Sequence, residues 1–249
     1  PVTANWLRPY IGSDEFLNGG VRWCLWLEDV PPSSLRSVPP VLERIERVRA
    51  FRSASSAAPT RAAAATPSQF FFNSQPRCDY LLIPEVSSER RRYVPVGWVP
   101  PEVVSSNKNY LIAEPTLAVF GLLQSAMHMA WLSTVAGRLK SDFQYSASMV
   151  YNTFPLPEPL DAKARAAIEA AAQAVLEARA AFPGSTLADL YDPLTMPPAL
   201  VKAHRELDRA VDAAYAADAK ALDVKAKWAT DGERVAFLFA LYRRLTNLA

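Results

Sequence analysis

The sequence predicts an α+β fold: a mixed or antiparallel sheet with packed helices over residues 1–157, then an all-α helical segment over 158–249. Proline placement is the first reason. Sixteen of the twenty-one prolines fall in residues 1–157 and five in 158–249, so long uninterrupted helices belong to the second part. The second is texture: short β-rich runs alternate with turn residues up to Phe154-Pro155-Leu156-Pro157, and alanine-rich helical periodicity follows.

Taken in order, Val21–Leu27 is aromatic and β-rich and follows the turn signal Asn18-Gly19-Gly20, which predicts a strand. Pro39-Pro40 opens a helix with Val41, Leu42, Ile45 and Val48 on one face. Its other positions hold Arg44, Arg47, Arg49 and Arg52, readable as a solvated surface paired with Glu43 and Glu46, or as a phosphate-contacting face. Residues 53–67, mostly Ala, Ser, Thr and Pro, read as a mobile loop. Strands are predicted at Gln69–Phe72, Tyr80–Pro84, Arg92–Trp98 and near Tyr110–Ala113. Pro115 then starts one helix through Leu117, Phe120, Leu123, Met127 and Trp131, ending near Gly137, with His128 as a core or capping residue.

Beyond residue 157, three amphipathic helices are predicted. Residues 161–182 align Ile168, Ala172, Val175 and Leu176, and residues 198–217 align Leu200, His204, Leu207, Val211 and Ala214. A Thr230/Glu233 capping box launches Val235, Leu238, Leu241, Tyr242 and Leu245. These helices read as a bundle or a clamp against the first part, with a scaffold role preferred.

Composition excludes several functions. Only eight glycines are present, and neither common phosphate loop occurs; GxSxG and HExxH are absent, and two histidines cannot build a metal cluster. Asp189 and Asp192 look like a carboxylate pair around Tyr191, but Ser185, Thr186 and Asp189 fit helix-start chemistry better. Cys24 and Cys78 form no CxxC unit, which favours a reducing, cytoplasmic setting, and no apolar run is long enough to span a bilayer. The opening Pro1-Val2-Thr3 suggests a piece of a larger protein or a processed product. No catalysis is expected from the chain alone.

The formal charge of +2 divides unevenly. Residues 1–157 carry fifteen Lys/Arg against twelve Asp/Glu, and thirteen of those cations are Arg, the side chain suited to bidentate phosphate and base contacts. The run after Gly137 is the strongest candidate for reading DNA. As one extended strand, Lys140, Asp142 and Gln144 would share a face while Phe143 and Tyr145 point inward. Lys donates to guanine O6 and N7, Asp accepts from cytosine N4, and Gln makes the paired contact favoured by adenine. The plainer alternative is a surface ion pair between Lys140 and Asp142 on an edge strand. Ser105, Ser106, Asn107, Lys108 and Asn109 form a polar loop before a strand and are a candidate second base-reading element, with Asn107 and Lys108 as its reading side chains. Arg90, Arg91, Arg92, Arg138 and Arg44 are the candidates for positioning phosphates, with alternate faces of a strand assumed for the Arg90–Arg92 run.

Four segments, in fixed order over nearly the whole chain, resemble the MmeI-like, type IIL restriction–modification enzymes. They are Leu7-Arg8-Pro9-Tyr10-Ile11-Gly12-Ser13-Asp14-Glu15-Phe16 with Arg22–Leu27; Ser88-Glu89-Arg90-Arg91-Arg92-Tyr93-Val94-Pro95; Gly137–Phe143 with Tyr145-Ser146 and Val150–Pro155; and Ala188–Pro193 with Met196-Pro197 and Ala203–Asp208. The resemblance implies a double-stranded DNA target-recognition domain followed by a C-terminal helical region, and places the segment after Gly137 where the family varies with its recognised sequence. It also implies a parent with nuclease, helical spacer and adenine-N6 methyltransferase domains, where S-adenosylmethionine and Mg²⁺ would be bound. The methyltransferase motif Asn-Pro-Pro-Tyr does not occur in this sequence, so neither cofactor is expected here. The competing class is a helical protein–protein scaffold that never touches DNA.

Overall fold

The computed structural model describes residues 5–247, so the opening Pro1-Val2-Thr3 lies outside them. Leu7–Ile11 (β1) runs into a six-residue helix, Ser13–Asn18 (α1). The Glu15 side chain folds back to accept from the Gly12 amide at 2.7 Å, and Gly19 ends the helix in the left-handed region at φ 77. Arg22–Leu25 (β2) returns antiparallel to β1. Pro32–Arg36 (α2) and Pro39–Ser53 (α3) start with proline in the first turn, where its missing N–H has no helical partner to lose. They pack Leu35, Val41 and Ile45 against Trp6 and Leu27 as a small satellite core.

Residues 53–67 are not the expected loop. They form a short helix, Ala58–Ala62 (α4), and a 3₁₀ turn at Ala63–Ala65. Arg52, buried at the end of α3, donates to the carbonyls of Ala63, Thr66 and Gln69 at 2.8–3.0 Å. One guanidinium thus satisfies three backbone acceptors of a segment whose own composition specifies little. Gln69–Phe72 is not a strand either. Phe70 instead inserts between the rings of Tyr10 and Trp26, and no ladder forms.

Tyr80–Pro84 (β3), Val86–Ser87 (β4), Gly97–Val99 (β5), Val104–Ser105 (β6) and Asn109–Ala113 (β7) follow. β3 is the centre of an antiparallel sheet ordered β5-β3-β7, and β6 joins β1 in a second sheet, β2-β1-β6. Buried on both faces, β3 sends Leu81 and Ile83 into the main core, and Tyr80 and Leu82 toward Val99 on the other side. The strand expected at Arg92–Trp98 shrinks to β5. Val94 spends its amide on the Met129 sulfur and its carbonyl on the Gln124 side chain, so it has nothing left for a ladder.

The helix expected from Pro115 to Gly137 is two helices, Leu117–Leu123 (α5) and Ala126–Val135 (α6). The break falls at Gln124-Ser125, where Ser125 caps α6 by accepting from the His128 amide at 3.3 Å. Gly137–Leu139 (β8) and Asp142–Gln144 (β9) build a third sheet with β4, and a wide i→i+5 turn spans Ala147–Tyr151. The helical part comprises Ala162–Ala180 (α7), Leu187–Leu190 (α8), Pro198–Ala214 (α9), Ala216–Ala221 (α10) and Asp231–Thr246 (α11). The apolar faces read from periodicity are the buried faces of α7 and α9. On α11, Phe237, Leu238 and Leu241 are buried, whereas Leu245 is exposed. Both capping boxes form, Thr186 with Asp189 and Thr230 with Glu233.

One core runs through both parts. Leu81, Phe120 and Trp131 belong to the same apolar cluster as Ile168, Leu207 and Leu241. At Gly121 the helices approach so closely that an added Cβ would lie 2.6 Å from Ile168 Cγ2. Gly121→Ala should therefore destabilise by about 1–3 kcal/mol through overpacking, despite alanine's better helix propensity. A lowered urea midpoint checks this; an unchanged one would mean that α7 can back away.

A chain of buried polar groups ties the parts together. Arg179 donates to the Val96 carbonyl at 2.7 Å, to the Gln124 side chain and to the Tyr191 hydroxyl. Tyr191 in turn meets His204 Nε2 at 2.8 Å, and His204 Nδ1 donates to the Gln124 carbonyl at 3.2 Å. Asp208 accepts from the Tyr93 hydroxyl and from the Ala126 amide, each at 2.7 Å. His128, the other histidine, is a core residue as expected and meets the Tyr145 hydroxyl at 3.2 Å.

Burial pulls His204 down to about 3 and His128 down to about 4, from an ordinary 6.5. Both histidines stay neutral in the fold while the unfolded chain takes up protons below about pH 6.5. Stability conferred by neutral burial is therefore full above that pH and declines as the pH falls toward 4. Asp208 and Asp218 work in the opposite sense, because burial raises their carboxyls, whereas Glu15, Asp189 and Glu233 are held down by hydrogen bonds and add to the loss at low pH. Unfolding free energy measured from pH 7 to 4.5 should fall, with a limiting slope of about two protons, or roughly 2.7 kcal/mol per pH unit. A flat profile would show that the histidines are open to protonation in the fold.

Candidate nucleic-acid interface

β8 and β9 form a hairpin with Leu139 opposite Asp142 and Gly137 opposite Gln144. Lys140 and Ser141 are its two-residue loop, and Lys140 adopts the left-handed conformation at φ 57. The expectation of one extended strand carrying Lys140, Asp142 and Gln144 on a shared face is therefore corrected. Asp142 and Gln144 do share a face of β9, with Phe143 buried on the other and Tyr145 buried just beyond the strand. Lys140 stands at the exposed tip, because a two-residue reversal takes it out of the pleat. No ion pair joins Lys140 to Asp142 among the described residues.

The second candidate element lies beside the first. Lys108 Nζ sits 3.3 Å from Glu85 Oε2, and the Gln144 side-chain amide donates to Glu85 Oε1 at 3.2 Å. The Glu85 backbone is pinned on both sides, its N–H by the Lys108 carbonyl at 3.1 Å and its carbonyl by the Tyr145 N–H at 2.7 Å. Glu85 thus joins the β6–β7 loop to the hairpin. Sequence reasoning missed it; the only signal was one acidic residue between the apolar run of β3 and Val86. Asn107 is exposed at the tip of the same loop, over a hollow lined by Ser13, Arg22 and Ser106.

The arginines divide by location. Arg90–Arg92 is not a strand, since the Arg91 amide closes a turn on the Ser88 carbonyl at 3.1 Å, and alternation between faces does not apply. Arg91 is half-buried and lies in the fields of Asp142 and Asp192, which push its pKa up against the larger, opposing effect of burial. Arg90 and Arg92 are exposed, and the Arg92 Nε donates to the Tyr93 hydroxyl at 3.2 Å. Arg138 staples the hairpin: it donates to the Ser141 carbonyl at 2.9 Å and lies 4.1 Å over the Phe143 ring. Arg44 is not brought to this surface, because α3 packs with α2, α4 and the 3₁₀ turn in the satellite core. On α3 the pairs Arg47–Glu43 and Arg49–Glu46, each at 3.2 Å, match the solvated-surface reading.

Rigid strands and a pinned loop hold donors and acceptors of the kinds that recognise base edges, with exposed cations alongside. Against known proteins, residues 1–158 match the family described as MmeI, target recognition domain, and residues 160–249 match MmeI, C-terminal domain. DNA methyltransferase A of Bacillus subtilis (strain 168) is 38% identical over 247 residues, covering 99% of this chain and 27% of that protein. A solved structure of the type IIL restriction–modification enzyme MmeI in complex with DNA is 49% identical, with a TM-score of 0.93 over 100% of this chain and 32% of that one. The chain spans about a third or less of these relatives. It belongs to the MmeI family, and its residues make up that family's target recognition domain and C-terminal domain.

Proposed function

We propose that this chain is the sequence-specific double-stranded DNA recognition module of a type II restriction–modification adenine-N6 methyltransferase, and that it binds and reads without catalysing. The joined reading elements carry the proposal. Glu85 holds the Gln144 side chain and lies within ion-pair distance of the exposed Lys108 ammonium, so the loop and the hairpin stand side by side before DNA arrives. Asp142 is the acceptor for cytosine N4; Lys140 and Lys108 donate to guanine edges, Gln144 pairs with adenine, and Asn107 adds a donor and an acceptor. Arg90, Arg91 and Arg92 position the backbone, and Arg138 supports the hairpin that does the reading. Likeness to a protein seen in complex with DNA supports this reading. S-adenosylmethionine and Mg²⁺ would belong to methyltransferase and nuclease domains of such an enzyme, acting in the cytoplasm. Among the described residues, no helix is long and apolar enough to cross a membrane.

A salt titration tests the proposal. Duplex affinity should fall linearly on a log–log plot, with a slope of about −0.9 for each phosphate neutralised. Absence of salt-dependent duplex binding would return the chain to the class of protein–protein scaffolds.

A further inference from the structure

The outward face of α9 carries Lys202, Arg205 and Arg209 at positions i, i+3 and i+7, while Leu200, His204, Leu207 and Val211 face inward. The cations line a groove of about 480 Å³ with Met196, Pro198 and Val201. A smaller hollow of about 180 Å³, lined by Arg92, Tyr93, Met196, Val201 and Arg205, shares three residues with it, so the two are continuous. Glu206 is the acidic residue of the lining, and Arg209 neutralises it in an i,i+3 ion pair. Lys202 and Arg205 are exposed, and neither has an ion-pair or side-chain hydrogen-bond partner among the described residues. Arg92 uses its Nε on Tyr93 and keeps both terminal nitrogens. Next to it, Arg91 lies between the charge of Asp142 on the hairpin and that of Asp192 before α9. Arg92 lines the smaller hollow, so the groove reaches the Arg90–Arg92 turn.

We propose that this groove is a phosphate track for duplex DNA flanking the bases that are read, so that the C-terminal helices grip DNA directly; this rests on the reading of the chain as a DNA recognition module. Charge segregation supports it. Residues 158–249 carry twelve Lys/Arg against thirteen Asp/Glu, yet this face gathers three of those cations around one acid. The seven helical steps from Lys202 to Arg209 cover about 10 Å of helix axis. That matches about three steps of one DNA strand at about 3.4 Å each. A protein partner would favour an apolar centre and would leave these charges without counterparts.

The test compares the full chain with a Lys202→Ala/Arg205→Ala double variant, using fluorescence anisotropy across a salt series. One duplex carries the recognition site alone, and another adds ten base pairs on each side. The long duplex should bind the variant roughly five- to tenfold more weakly near 0.1 M salt, with a slope smaller by about two. The short duplex should bind both proteins alike, and discrimination against a mismatched site should be unchanged. Lys202→Arg/Arg205→Lys, which keeps both charges, should restore the slope. Wild-type affinity and slope in the alanine variant on the long duplex would overturn this inference alone. Altered discrimination at one base pair would overturn the phosphate assignment by making the groove a reading surface. Failure of the wild-type chain to bind duplex at all would overturn the recognition reading, and this inference with it.

Discussion

Replacing Arg179 with alanine should cost about 3–5 kcal/mol of unfolding free energy, among the largest losses available to a single change in this chain. The guanidinium serves a backbone carbonyl at Val96, an amide oxygen at Gln124 and a hydroxyl at Tyr191. Gln124 and Tyr191 are fully enclosed while the arginine is in place, so its removal leaves their oxygens short of a donor inside the fold. Each loses a charge-assisted bond, and those bonds are the stronger kind. The guanidinium also lies 5.2 Å from the Phe120 ring and 4.9 Å from the Tyr191 ring, so its removal takes packing away as well. Arg179→Lys should recover only part of the loss, because an ammonium cannot present a planar fork to three acceptors. Urea unfolding measures both variants; a midpoint within error of wild type for Arg179→Ala would show that the network is dispensable.

Asp142→Ala should relax discrimination at a single base pair by about 1–3 kcal/mol, or roughly five- to 150-fold, and leave the others intact. Asp142 stands on β9, the hairpin strand that pairs on both sides, and its neighbour Phe143 is locked into the core under Arg138. An acceptor on so fixed a backbone either meets its donor or leaves it unpaired, and the latter is what makes a wrong base costly. Lys140→Ala should have a smaller effect, since a flexible ammonium at the hairpin tip can follow more than one acceptor. Binding to duplexes differing at one position at a time reads both effects. Equal losses on every duplex would make Asp142 a structural residue.

The helical half was legible in the sequence because its signals are local. Alanine-rich stretches with apolar residues at helical spacing specify what α7, α9 and α11 bury, and Thr followed by Asp or Glu three positions on marks where α8 and α11 begin. β3 was legible for the same reason, as an unbroken apolar run closed by proline. What was missed depends on distant partners. The order of residues 53–67 comes from Arg52, and the break between α5 and α6 follows the use of Gln124 by Arg179, 55 positions away. The hairpin turn was hidden because Lys140-Ser141 contains none of the Gly or Asn residues that usually mark a left-handed position. Glu85 showed only as a lone acidic residue after an apolar run, since its partner Gln144 lies 59 positions off. The candidate reading residues were thus identified by chemical type, but their arrangement was not.

The shared core has a practical consequence for anyone wishing to exchange specificities between such enzymes. A graft ending near residue 157 would carry Leu81, Phe120 and Trp131 away from Ile168, Leu207 and Leu241, and would strand half of the Arg179 network. The transplantable unit is therefore the reading half together with its own helices, or else a few side chains on the hairpin and loop, with every enclosed residue left in place.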